Sequence, residues 1–203
     1  MALDPNAVAA PFIKVEEDEN GVLQHIDFVN DEYFNFAYDV VDQLAKKCPD
    51  KLAMLHVSRE GKERSFTFGD MSRYSSKVAN YLQFLGIKKG DRVMLVLKRH
   101  YQFWFTILAL HKIGAVVIPA TNLLLKSDFE YRFKTGNVDA VLCTADGPVS
   151  REIDKACKSY KKLKVKIMVG ASREGWRSFN KEVKYFSDHF SRPKGDFAIK
   201  ASD

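Results

Sequence analysis

The chain has 203 residues, 46% of them hydrophobic and 29% charged, with a formal net charge of +6. That is enough apolar material for one compact core, and it excludes a low-complexity or disordered chain. The mild positive balance favours anionic partners without choosing among nucleic acid, membrane surface and phosphorylated small molecules.

In chain order, the opening "MALDPNAVAAPF" is small and featureless, like a leader added for expression. Residues 12–32, with the acidic run "EEDEN", read as an arm, so residues 1–32 form an amino-terminal extension. From Tyr33 the pattern changes. Phe36, Ala37, Val40, Val41, Leu44 and Ala45 recur at helical spacing, and Pro49 stops that helix. "LAMLHV", "SREGKER" and "SFTF" read as a hairpin.

Thr67 and Asp70 have the spacing of a capping box. The helix they open carries Met71, Tyr74, Val78, Ala79, Leu82 and Leu85 on one face and ends at Gly86. "RVMLVL" is a continuous apolar strand of the kind buried in a parallel sheet. The helix "YQFWFTILALHKI" is apolar nearly all round and ends at Gly114, and "AVVIPA" follows as a strand. Ser127 and Glu130 predict a second capping box, for a helix ending near Gly136. "DAVLCT" is a strand, "SREIDKACKSYKKL" a helix, "KVKIMV" a strand and "SFNKEVKYFSDHF" a final helix. Strands alternating with helices predict an α/β fold, a mainly parallel sheet flanked by helices on both faces, over residues 33–190. Residues 191–203 read as a linker.

The motifs bearing chemistry are conspicuous by omission. There is no GxGxxG, GxxxxGK[ST] or GxSxG. Gly86 and Gly90 precede their strand, where a dinucleotide fingerprint would follow it, so they are a helix stop and a turn. Cys48, Cys143 and Cys157 form no CxxC pair, which argues against zinc and disulfides and fits the cytoplasm. No apolar run is long enough to span a membrane. Tyr101, Phe103, Trp104 and Phe105 offer a stacking platform on paper, but their helical spacing beside a buried strand predicts core packing. "KACKSYKKLKVK" holds six lysines and no acid: a solvated face, or else a basic patch for an anion. A nucleic-acid module is the rival reading, but it lacks RNP, KH and zinc-finger signatures, so no nucleic acid is expected.

The ordered series "TFGDMSRYSSKVANYLQFLGIKKGDRVMLVL", "ILALHKIGAVVIPATNLLLKSDFEYRF" and "VDAVLCTAD" resembles the amino-terminal part of AMP-forming acyl-CoA synthetases. "FNFAYDVVDQLA" and "GAVVIPAT" look most like the acetyl-CoA and medium-chain acyl-CoA enzymes. The resemblance implies ATP, Mg²⁺ and CoA as cofactors and a carboxylic acid as substrate. It also implies that the phosphate loop, the ribose-binding aspartate and the catalytic lysine lie after segments like "DFAIKASD". The expectation is therefore a chain with no catalytic residue of its own, inactive by itself. Another possibility is a natural short paralogue that partners a full ligase. In acetyl-CoA synthetases an arginine after a "TADEG"-like turn approaches the 3′-phosphate of CoA, and "TADGPVSRE" puts Arg151 in that place. Pro148 and Ser150 depart from the pattern.

Overall fold

The computed structural model describes residues 6–202. After a one-turn helix α1 (Asn6–Ala9), the arm forms an antiparallel hairpin, β1 (Ile13–Glu17) with β2 (Leu23–Phe28). The predicted arm thus contains a sheet, and its register gathers the apolar residues on one side: Ile13 faces Phe28 and Val15 faces Ile26.

The next helix departs from its predicted form. Residues Phe36–Val41 are π-helical, and only α2 (Asp42–Lys47) is α-helical. Asn35 opens it reciprocally: its side chain accepts from the Ala37 and Tyr38 N–H groups, while Asp39 accepts from the Asn35 N–H at 2.7 Å. The hairpin β3 (Leu52–Val57) and β4 (Glu63–Thr67) forms as its sequence predicts.

Helix α3 (Phe68–Phe84) starts at the predicted box: Thr67 Oγ1 accepts from Asp70 N–H, and Asp70 accepts from Thr67 N–H. It ends at Gly86, whose φ is +85°. Strand β5 (Arg92–Val96), helix α4 (Gln102–Ile113) and strand β6 (Val116–Pro119) follow. Helix α5 (Lys126–Thr135) opens two residues before the predicted cap, because Asp128 accepts from the Leu125 N–H at 2.9 Å. Leucine has no oxygen to return the bond, so only half the box is made. The left-handed residue after α5 is Asn137 (φ +50°), while Gly136 stays right-handed.

Strand β7 (Ala140–Thr144) leads to α6 (Val149–Ala156) and β8 (Val165–Val169). Helix α6 is shorter than the predicted helix. Tyr160 Oη donates to Val138 O and Ser159 Oγ to Glu130, bonds that hold residues 157–163 off the helix axis. Lysines at helical spacing would also repel one another there. The predicted final helix breaks into strand β9 (Arg177–Ser178), α7 (Phe179–Glu182) and a 3₁₀ turn at Val183–Tyr185.

Five strands form one parallel sheet in the order β6-β5-β7-β8-β9. Its residues alternate between two cores, as the two-residue period of a strand requires. Val93, Leu95, Ala140, Leu142, Ile167 and Val169 face α3 and α4. Met94, Val96, Val141, Cys143 and Met168 face α5 and α6. Helices therefore cover both faces, as expected for continuous apolar strands. Full burial of each such side chain is worth about 1.5–3 kcal/mol.

Two polar knots brace this scaffold. Lys112, 1% exposed, pairs with Asp42 at 2.9 Å and donates to Ser76 Oγ at 3.0 Å, tying α4 to α2 and α3. At the amino ends of the strands, Lys164 pairs with Asp91 at 2.7 Å and lies 3.6 Å from Asp139, which accepts from the Arg92 N–H at 2.9 Å.

Candidate functional site: the crevice at the carboxyl ends of the strands

Strand order places the site. From β5 the chain crosses through α4 to β6 on one side, then returns past β5 through α5 to β7 and continues outward to β8. The order reverses between β5 and β7. Open α/β sheets bind ligands outside the carboxyl ends of their strands at such a reversal.

Here the loop after β5 presents Lys98, Arg99 and His100, while β7 ends at Thr144 and the loop after it presents Ala145 to Gly147. His100 Nε2 and Thr144 Oγ1 are 2.7 Å apart, linking the two loops across the reversal. Thr144 Oγ1 also accepts from the Asp146 N–H at 3.1 Å, and Lys98 Nζ stands 3.9 Å from Asp146. Burial pulls the His100 pKa down, against the upward pull of Asp146, so the ring is neutral at pH 7. The crevice thus offers a neutral imidazole, a hydroxyl and one exposed ion pair. It can position a ligand, but it holds no nucleophile with a base and an orienting group. Cys143 lies within the sheet, facing the α5–α6 core, and burial pushes its thiol up to about 12, which makes it inert. Among the described residues no group of His, Cys, Asp and Glu is placed to hold a metal, and no helix is long and apolar enough to cross a membrane.

Arg151 sits in the first turn of α6, directly after the loop that follows β7, and is exposed. Its backbone N–H is bonded to Pro148 O. A second arginine, which the sequence did not single out, converges on the same helix: Arg173 donates to Ser150 Oγ at 2.7 Å and pairs with Asp154 at 2.8 Å. Only the fold brings it there, from the loop after β8.

The six lysines of the basic stretch do not form one patch. Lys155 pairs with Glu152, Lys162 and Lys164 with Asp139, and Lys166 with Asp154. That leaves Lys158 and Lys161, too few for the phosphate-tracking surface of a nucleic-acid groove. Within the aromatic group, Phe105 is 3% exposed and lies in the core as expected, whereas Trp104 is 53% exposed on the outer side of α4.

A parallel α/β layer with a reversal crevice is an open-sheet architecture whose ligands sit at the carboxyl ends of the strands. The family model for AMP-binding enzymes matches residues 41–198, and the chain belongs to that family. It is 36% identical over 163 residues to mitochondrial acyl-coenzyme A synthetase ACSM5 of Rattus norvegicus, covering 77% of this chain and 28% of that protein. It is 32% identical over 164 residues to mitochondrial acyl-coenzyme A synthetase ACSM3 of Homo sapiens, again covering 77% of this chain and 28% of the relative. Among solved structures it resembles an acyl-CoA synthetase of Brucella canis, with a TM-score of 0.71, 22% identity, and coverage of 94% of this chain and 32% of that one. It also resembles the anthranilate CoA ligase AuaEII in complex with anthranoyl-AMP (TM-score 0.66, 21% identity, 79% of this chain and 30% of that one). These structural likenesses show the fold. The chain spans 28% of the length of each of the two acyl-coenzyme A synthetases named above.

Proposed function

We propose that this chain is the amino-terminal scaffold of an acid–thiol ligase. The whole protein would join a carboxylic acid to ATP, release pyrophosphate, and pass the acyl group from the adenylate to CoA. The observation that carries this reading is the 32–36% identity to acyl-coenzyme A synthetases over 77% of the chain. Mg²⁺ would neutralise the polyphosphate while the carboxylate attacks the α-phosphorus. In this reading residues 33–190 form the α/β unit, residues 191–203 lead toward the phosphate loop, and none of the catalytic groups belongs to this stretch. The 203-residue chain is expected to show no acid-dependent ATP–pyrophosphate exchange, while the full-length ligase shows it. Robust exchange by the purified chain would refute the division of labour.

Arg151 is the residue assigned to the 3′-phosphate of CoA. Its exposure, its place beside the loop after β7 and its guanidinium chemistry support the assignment. In a full-length ligase, Arg151→Ala should raise KM for CoA about tenfold, the scale of one charge-assisted contact. KM for dephospho-CoA and the rate of adenylate formation should stay unchanged. An equal effect on CoA and dephospho-CoA would remove Arg151 from the phosphate.

The free thiols fit any reducing compartment, cytoplasm and mitochondrial matrix alike, and the named relatives are mitochondrial. Fractionation of cells producing the protein decides between the two.

A further inference from the structure

The sequence predicts a linker over residues 191–203, but the structure fastens this segment to the body along its length. The Arg192 guanidinium meets Asp39 with both terminal nitrogens, Nη1 to Oδ1 at 2.5 Å and Nη2 to Oδ2 at 3.0 Å. Nη2 also donates to Tyr33 O, and the guanidinium carbon lies 5.2 Å from the centre of the Tyr38 ring. Further on, Lys89 Nζ donates to Ala198 O at 2.8 Å and the Ala201 N–H to Glu32 O at 2.9 Å. Lys200 pairs with Glu32 at 3.0 Å. The lysine contacts are exposed and hold little. The arginine fork, planar and matched to a carboxylate, is the strong point of the strap.

Its anchor is an uncommon one. Tyr38 and Asp39 both belong to the π-helical turn Phe36–Val41, a form that is rare and recurs at functional sites. That turn is itself pinned to the end of α4. Asn35 Nδ2 donates to His111 O at 2.8 Å and Tyr38 Oη to Lys112 O at 3.0 Å, two of the carbonyls a helix leaves without partners at its carboxyl end. Asp39 is held in turn by the Asn35 N–H at 2.7 Å. One oriented carboxylate therefore sets where residues 192–201 lie.

We propose that Arg192 and Asp39 are positioning residues for adenylate formation. Their fork fixes the strap, and through it the phosphate-handling segment that follows, so the role rests on the ligase function proposed above. Neither side chain touches a substrate. Pyrophosphate has already left when the thiol attacks the adenylate, so only the first half-reaction depends on the strap.

The test uses the full-length ligase with whichever of acetate, hexanoate and octanoate the wild type activates best. Arg192→Gln should slow acid-dependent ATP–pyrophosphate exchange about 10- to 100-fold, the scale of a small misplacement at a reacting centre. Transfer to CoA from the preformed adenylate of the same acid should keep its wild-type rate. Arg192→Lys, which keeps the charge without the fork, should recover only part of the loss. Asp39→Asn still accepts from the Asn35 N–H and should match Arg192→Gln, and the double variant should be no slower than either. In the 203-residue chain, Arg192→Gln should speed hydrogen exchange at the Ala201 amide about tenfold, while the β7 amides of Val141 and Cys143 stay unchanged. Undiminished pyrophosphate exchange, equal slowing of both half-reactions, additive losses in the double variant or an unaltered Ala201 amide would each overturn the proposal while leaving the ligase function standing. A wild-type protein without acid-dependent exchange would overturn the ligase function, and the positioning role with it.

Discussion

Asp139 shows how one carboxylate can make a fold depend on pH. Its burial opposes ionisation, but the Arg92 N–H and the nearby Lys164 and Lys162 outweigh it and hold its pKa below 3.8. The stability this contributes is present above pH 3.8 and is lost as the pH falls through the folded value. For Lys164 burial works in the same opposing way, and Asp91 and Asp139 outweigh it, raising the pKa above 10.5. That contribution is complete below pH 10.5 and fades as the pH rises through the folded value. Asp139→Asn should cost about 1–3 kcal/mol at pH 7 and flatten the acid limb of urea-denaturation stability plotted against pH. An unchanged acid limb would show that the acid sensitivity resides elsewhere. Lys112 has the opposite sign: burial pulls its pKa below 10.5 despite Asp42, so stability from this group rises with pH in the window below 10.5. Asp42→Ala should cost about 3 kcal/mol by leaving that cation uncompensated, whereas Lys112→Met, which removes the charge, should cost far less. Equal losses in the two variants, measured by chemical denaturation, would refute this account.

At the scale of elements, the legible parts of the chain were those whose signal is local. The Thr67–Asp70 box and the glycines at 86 and 114 were readable because each feature completes itself within four residues. The start of α5 was not, since Ser127 lost to Asp128, which reaches back to a leucine with no capping chemistry of its own. The end of α6 was hidden for a different reason: Tyr160 and Ser159 find partners 22 and 29 residues away, and a local pattern cannot see them. The two stop glycines separate backbone strain from crowding. A Cβ at Gly86 would meet nothing within 4 Å, so Gly86→Ala should cost only the left-handed penalty, about 1–2 kcal/mol. At Gly114 a Cβ would approach Ile199 Cγ1 to 3.0 Å and Lys89 Cγ to 3.2 Å. Gly114→Ala should therefore cost more than Gly86→Ala in the same denaturation assay, and the reverse order would show that the 199 segment gives way freely.

For the whole molecule, the alternation of strand and helix foretold the parallel sheet because continuous apolar strands have only one good environment. The candidate site was half legible. Arg151 sits in the first turn of a helix that the sequence predicts, but Arg173 and the His100–Thr144 bridge exist only through strand order, which no local pattern encodes. Surface character follows from the same architecture. Leu55 and Val57 are 50% and 53% exposed on the outer side of β3, in a two-stranded sheet whose outer edges are unpaired. Trp104 is equally bare on α4. Unpaired strand edges beside exposed apolar side chains promote association. The 203-residue chain should therefore self-associate in a concentration-dependent way by sedimentation velocity. Val57→Lys places a charge on the outward face of the edge, and with Trp104→Gln it should shift the chain toward monomer without lowering its unfolding midpoint. Association unaltered by both changes would move the contact to the β1–β2 hairpin, where Phe28 is 72% exposed.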